Sequence, residues 1–312
     1  MLPLFTILHP LVDASSVTVL IVGGMSWQRV LAYNALAFAL QFPLGVVLDA
    51  RPQLMKGTFV TSLALTLAGA GLCACGVGEV ALVLACVGNA LFHLSAGKAV
   101  LDAHEGKGGP IGLFISTGAL GLFAEMKLAG GYGLWCCLGF GVALAAVGAA
   151  AALRINSDSS EASLTFRRIR SVSAVSNEIG VGNGRRVGWL ILFALFALVA
   201  WRSWAGLLAG GMTNAAGLGF ALAGAAVTWA GKAAGGYLGD HFGCWFVTAV
   251  SVVGSLSLCF LCRPEQATLW LALLFVAQLA TGPVLSLMYD KSGKASGTAF
   301  GLNCLALFTG SL

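Results

Sequence analysis

Charge thins out in this chain for about twenty residues at a time and gathers mostly between those stretches. That pattern constrains the fold more than any motif, because ~20 mostly apolar residues are what an α-helix needs to cross a bilayer. Eleven such stretches are read, at about 2–22, 29–48, 57–77, 79–101, 110–130, 133–153, 187–209, 214–238, 244–262, 266–288 and 295–312. Apolar residues make up 58% of the chain and charged residues only 9%. Soluble globular chains carry roughly 25% charged residues, so this one cannot cover a water-facing surface. The runs are rich in Ala, Leu and Gly and lack the alternating ~10-residue pattern of barrel strands. Helices also satisfy their own backbone inside lipid. The expected fold class is an all-α polytopic membrane protein embedded in a lipid bilayer. The net charge of +5 is no nucleic-acid footprint, because the seventeen Lys and Arg are scattered between apolar runs rather than gathered on one soluble face.

Those basic residues report orientation instead. Even-numbered loops hold twelve: Arg51, Lys56, Lys98, Lys107, Arg154, Arg167, Arg168, Arg170, Arg185, Arg186, Lys291 and Lys294. Odd-numbered loops hold three: Arg29, Lys127 and Arg263. The expectation is an integral multi-pass protein of the cell membrane with its N-terminus in the cytoplasm. Residues 2–22 lack a basic n-region, run too long and carry Asp13, so they do not read as a cleavable signal.

The single long polar loop is Ser-rich and basic. It divides the chain into an N-terminal six-helix bundle at 1–153, a cytoplasmic linker at 154–186 and a C-terminal five-helix bundle at 187–312. The two bundles repeat one another. Span two ends in Gly45-Val-Val-Leu-Asp49 and span eight, 191 residues later, in Gly236-Tyr-Leu-Gly-Asp240. Asp102 with Gly106-Lys107 is matched by Asp290 with Gly293-Lys294 at nearly the same offset. Parallel halves of this kind belong to alternating-access carriers, which rock around a midplane site.

The stretch Gly236-Tyr-Leu-Gly-Asp240-His241-Phe-Gly243 resembles the G-x-L-x-D-R-x-G signature of the major facilitator superfamily, with His241 in place of the usual Arg. The copy at Gly45 and Asp49 is more degenerate, and continues Ala50-Arg51-Pro52. Gly88-Asn-Ala-Leu-Phe-His93, followed by Gly118-Ala-Leu-Gly121, is similar to spans four and five of bacterial members. The resemblance covers nearly the whole chain. It implies a major facilitator fold with its cavity lined by spans one, four, seven and ten. It also implies a gating role for Gly45, Asp49, Gly236, Asp240 and Gly243, with each aspartate binding helix ends in one of two states.

Ionisable groups within spans are expensive, so each is a candidate for function. His9 and Asp13 lie four apart on span one and share a helix face. Asp13 is a candidate proton carrier with His9 tuning it; the competing reading is a packing pair at a first span broken by Pro10. His93 on span four, with Asn89 one turn earlier, is either a proton relay or a satisfied structural histidine. Arg202 sits on span seven between Trp201 and Trp204. It is expected to hold an anionic or zwitterionic group or to pair with Asp13, unless it snorkels in the outer aromatic belt. Lys232 reads as snorkelling. Gln278 and Thr281-Gly282-Pro283 offer neutral polar contacts and a kink on span ten. Because the strongest candidates fall on spans one, four and seven, they are expected to form one site.

Nine cysteines show no zinc-type spacing, and no metal or other cofactor is expected. There is no phosphate loop, no Gly-x-Ser-x-Gly elbow and no HExxH. The expected function is therefore proton-coupled secondary transport of one small-molecule solute by a monomer that is not an enzyme. Alternatives are a membrane-embedded enzyme or sensor on a carrier fold, and a truncated, non-transporting fragment. A second half equal to the first would run about 27 residues further, so the twelfth helix of such a carrier is expected to be missing.

Overall fold

A computed structural model of the chain describes residues 1–157 and 183–312, which leaves most of the expected linker outside the described residues. Among the described residues all regular structure is helical. The first helices are α1 (Leu2–Val22), α2 (Trp27–Ala50), α3 (Met55–Ala74) and α4 (Gly78–Ala103). They are followed by α5 (Gly108–Leu128) and α6 (133–157), which run on from one another across a break at Tyr132. The second set is α7 (Asn183–Ala215), α8 (Leu218–Phe242), α9 (Cys244–Leu261), α10 (Ala267–Lys291) and α11 (Ser296–Thr309). Eight of these are long and apolar enough to cross a membrane; α6, α8 and α11 complete the set read from the sequence.

Local chemistry explains the breaks. Ser26 caps α2 by accepting from the Arg29 N–H at 3.3 Å. Gly243, at φ 95°, lets α8 turn directly into α9. In α10 the Pro283 ring opposes the carbonyl four residues earlier, and the helix breaks at Leu279–Ala280. The middle of α2 is a π-turn at Ala35–Ala39, after which Gln41 donates to the Ala37 carbonyl at 2.6 Å.

Two long contacts join the first six helices to the last five: α2 lies along α11, and α5 along α8. Both are backbone to backbone. A Cβ on Gly45 would collide with the Gly297 carbonyl, and one on Gly236 with the Gly108 carbonyl, so only glycine permits these approaches. The outer surface is apolar, with Phe260 89% exposed and Trp135, Phe193 and Val142 similarly bare. Lipid is the solvent such a surface fits. The molecule is an integral, multi-pass membrane protein.

Candidate functional site

Helices α1, α4 and α5 bring four polar side chains together in the protein interior. Asp13 lies 3.2 Å from His9 Nε2 through one oxygen and 3.3 Å from His93 Nε2 through the other. Asn89 donates to Asp13 Oδ1 at 3.0 Å. The two histidine Nε2 atoms are 2.7 Å apart. All four residues are buried. Space for them comes from Gly118, where a Cβ would collide with Asp13 Oδ2 and His9 Nε2. Next to it, between the Gly108–Ser116 helix and the helix that starts at Gly118, the Phe114 carbonyl accepts from Thr117 Oγ1 and also faces His9 Nδ1 at 2.7 Å.

The hydrogen-bond partners decide the proton positions. His9 Nδ1 faces the Phe114 carbonyl, and His93 Nδ1 faces the Asn89 carbonyl at 2.9 Å. A carbonyl only accepts, so both Nδ1 atoms carry hydrogen. With both rings neutral, two Nε2 lone pairs would point at one another at 2.7 Å. One additional proton resolves this. It makes one ring an imidazolium that donates to the other ring, beside the Asp13 carboxylate. The cluster thus has room for one proton between the two Nε2 atoms. The same three residues offer ligand atoms within 4.8 Å of one another, a spacing that also admits a metal ion. Tetrahedral zinc with Zn–N near 2.0–2.1 Å would set its two nitrogens about 3.3 Å apart, so a shared proton fits the observed 2.7 Å more closely.

Arg202 does not join this group. Its Nη1 donates to Gln278 Oε1 at 2.7 Å and to Thr281 Oγ1 at 3.0 Å, on the two sides of the α10 break. Asp13 is already contacted by the two histidines and Asn89. The residues expected to form one site therefore form two, one across α1, α4 and α5 and the other across α7 and α10. A cavity of about 190 Å³ lies between α5 on one side and α7, α8 and α10 on the other. Gln278 and Lys232 line it, and it runs outward to the exposed Met126 and Asn214. Lys232, read from the sequence as snorkelling, faces this cavity instead.

The repeated motifs meet at the opposite end. Asp49 accepts from the Gly297 N–H (2.9 Å), the Thr298 N–H (2.7 Å) and Thr298 Oγ1 (2.7 Å), at the start of α11. Asp240 accepts from the N–H groups of Gly108 (2.7 Å) and Gly109 (2.8 Å), at the start of α5. Helix N-termini present free N–H groups and a positive dipole end to these carboxylates. Lys98, counted among loop charges by its sequence position, is buried within α4. It donates to Asp49 at 2.7 Å and to Ser296 Oγ at 2.7 Å, and lies 3.3 Å from Asp102. A Lys and an Asp four apart at the end of a span were the signal available for it.

The fold, with α2 paired to α11 and α5 to α8, is the one seen in solved transporters of the major facilitator superfamily. A variant of the Escherichia coli fucose:proton symporter FucP superposes with a TM-score of 0.61 at 13% identity, over 99% of this chain and 88% of that chain. FucP in the outward conformation gives 0.59 at 14% identity, over 99% and 89%. No protein-family model and no curated protein matches the sequence.

Proposed function

We propose that the chain is a proton-coupled secondary transporter that moves a small solute by alternating access. The observation that carries this reading is the buried His9–Asp13–His93 cluster, with room for one exchangeable proton. It lies directly behind the cavity wall: Gly118 packs on the cluster, and its neighbour Ala119 lines the cavity. Solute arriving against α5 and protonation behind α5 would then act on one helix. That is the physical requirement for coupling, since a ligand shifts a conformational equilibrium only through differential contacts in the two states. The shared fold with a fucose:proton symporter supports the class of activity and leaves the solute open.

In this reading residues 1–153 and 187–312 are the two rocking bundles, and residues 154–186 are their cytoplasmic linker. The excess of basic residues in the even loops puts the Asp49 and Asp240 clamps on the cytoplasmic side of the cell membrane. The described state is then closed toward the cytoplasm with the cavity opening outward. Gly45, Asp49, Gly236, Asp240 and Gly243 form the gate, and the working unit is a monomer.

The test uses proteoliposomes and a solute found by thermal-shift screening. An inward proton gradient is expected to drive accumulation. Asp13→Asn is expected to retain solute binding and gradient-independent exchange but lose accumulation. Unchanged gradient-driven accumulation in Asp13→Asn would sink the proposal.

A further inference from the structure

The cavity between α5 and α7, α8 and α10 has a one-sided polar chemistry. None of its lining residues is an aspartate or glutamate. Its cation, Lys232, makes no ion pair among the described residues, whose five pairs all lie elsewhere. Its buried amide, Gln278, is oriented by what lies behind it. Arg202 and Thr281 Oγ1 both donate to Gln278 Oε1, at 2.7 and 3.2 Å. A guanidinium has no acceptor, so the amide oxygen must face Arg202 and the amide nitrogen must face away. That nitrogen points toward the cavity-lining Gly206, where a Cβ would come within 3.1 Å of it. Gln278 is 93% buried, and its two N–H donors have no partner among the described residues. The result is a recess lined by an ammonium and an oriented amide NH₂, with no carboxylate among its lining residues. Thr213, Asn214 and Thr228 add neutral polar groups along the wall.

We propose that this cavity binds the carboxylate of a small organic acid, with Lys232 and the Gln278 amide N–H groups as its donors. Arg202 is a positioning residue: it turns Gln278 so that donors, not the carbonyl, face the solute. The second positive charge it brings to the floor of the cavity adds to the preference for an anion. An amine or other cationic solute meets like charge here and no carboxylate to pair with. A neutral sugar leaves Lys232 without a counter-charge. The inference rests on the cavity being the solute site of the transporter proposed above, but it concerns binding, which can be measured without a gradient.

The experiment is a thermal-shift and calorimetric titration of the full chain in lipid nanodiscs. The probes are unbranched and hydroxylated monocarboxylates of two to six carbons, each with its matched amide and amine. At least one carboxylate is expected to stabilise the protein, with its amide and amine silent. Lys232→Gln should weaken that binding on the order of tenfold or more, the scale of one charge-assisted hydrogen bond, while Lys232→Arg retains most of it. Arg202→Gln should lose the discrimination between carboxylate and amide. A merely structural Arg202 would lower the melting temperature and leave that ratio unchanged. The proposal is overturned if amides or amines bind as well as the acids, if no acid in the series binds, or if Lys232→Gln binds normally. Carboxylate binding without gradient-driven uptake would defeat the transporter reading alone. Proton-driven uptake of a neutral sugar would defeat this inference alone.

Discussion

At the end of α2, Asp49 collects two backbone N–H groups, a threonine hydroxyl and the buried ammonium of Lys98. At the end of α8, Asp240 collects two backbone N–H groups. The geometry repeats because the backbone repeats: each carboxylate meets the start of the helix that follows the fourth span of the opposite bundle. Deeper in the molecule the two halves diverge. The first six helices hold an acid between two histidines, and the last five hold an arginine, an amide and a lysine around an acid-free cavity. The two aspartate clamps are thus a repeated property of a duplicated scaffold, whereas the His9–Asp13–His93 cluster and the Arg202–Gln278 pair each occur in one half only.

The comparison breaks most decisively at Asp13. Asp13→Asn should reduce solute accumulation to its equilibrium level, while Arg202→Gln should leave a coupled but poorly selective carrier. Equal loss of coupling in both variants, measured as uptake under an imposed pH gradient, would mean that the halves share one site after all. The clamps come next. Asp49→Asn leaves Lys98 with Asp102 as its remaining charged partner, so it should destabilise the closed state by about 3 kcal/mol, the lower end of the cost of breaking a buried pair. Asp240→Asn removes an acceptor of two amide hydrogens and should cost about 1–3 kcal/mol. Spin-label distances between the ends of α2 and α11, and of α8 and α5, report both; a larger opening in Asp240→Asn would contradict the assignment of Lys98 to the stronger clamp.

Glycine replacements sharpen the contrast further. Gly118→Ala drives a methyl into Asp13 and His9, with an expected loss of about 1–3 kcal/mol in thermal stability and impaired coupling. Gly206→Ala meets only the end of the Gln278 side chain at 3.1 Å, so its effect should be confined to a few-fold change in solute affinity. A stability loss at Gly206 as large as at Gly118 would show that Gln278 is held more rigidly than its hydrogen bonds require. The smallest signal is electrical. One shared proton with one monocarboxylate carries no net charge, so solid-supported membrane recordings should show no sustained transport current. A steady inward-positive current would require a second proton site.

Much of this organisation was legible in the residues themselves. The apolar runs placed the helices to within several residues, including the interruption near Tyr132 and the Thr281-Gly282-Pro283 break. The matched Gly45/Asp49 and Gly236/Asp240 motifs located both clamps. What escaped was direction. Arg202 was open to pairing with Asp13, because sequence position along a span does not say which neighbour a side chain faces. Lys98 and Lys232 were read by their distance from the span ends, which describes an isolated helix in lipid and not one packed against others. Asn89 stood out only as a polar residue near His93; its contact with Asp13 joins two helices 76 residues apart.

By itself the sequence determined that this chain lives in lipid, spans it as helices and repeats one half in the other. Those outcomes follow from hydropathy and period, which are local and additive along the chain. Tertiary structure alone decided that His9 and His93 meet within 2.7 Å beside Asp13, that Arg202 turns the Gln278 amide toward a cavity, and that Lys98 ties Asp49 to the start of α11. Those depend on distances of about three ångströms between side chains from different helices, and only the packed structure sets them.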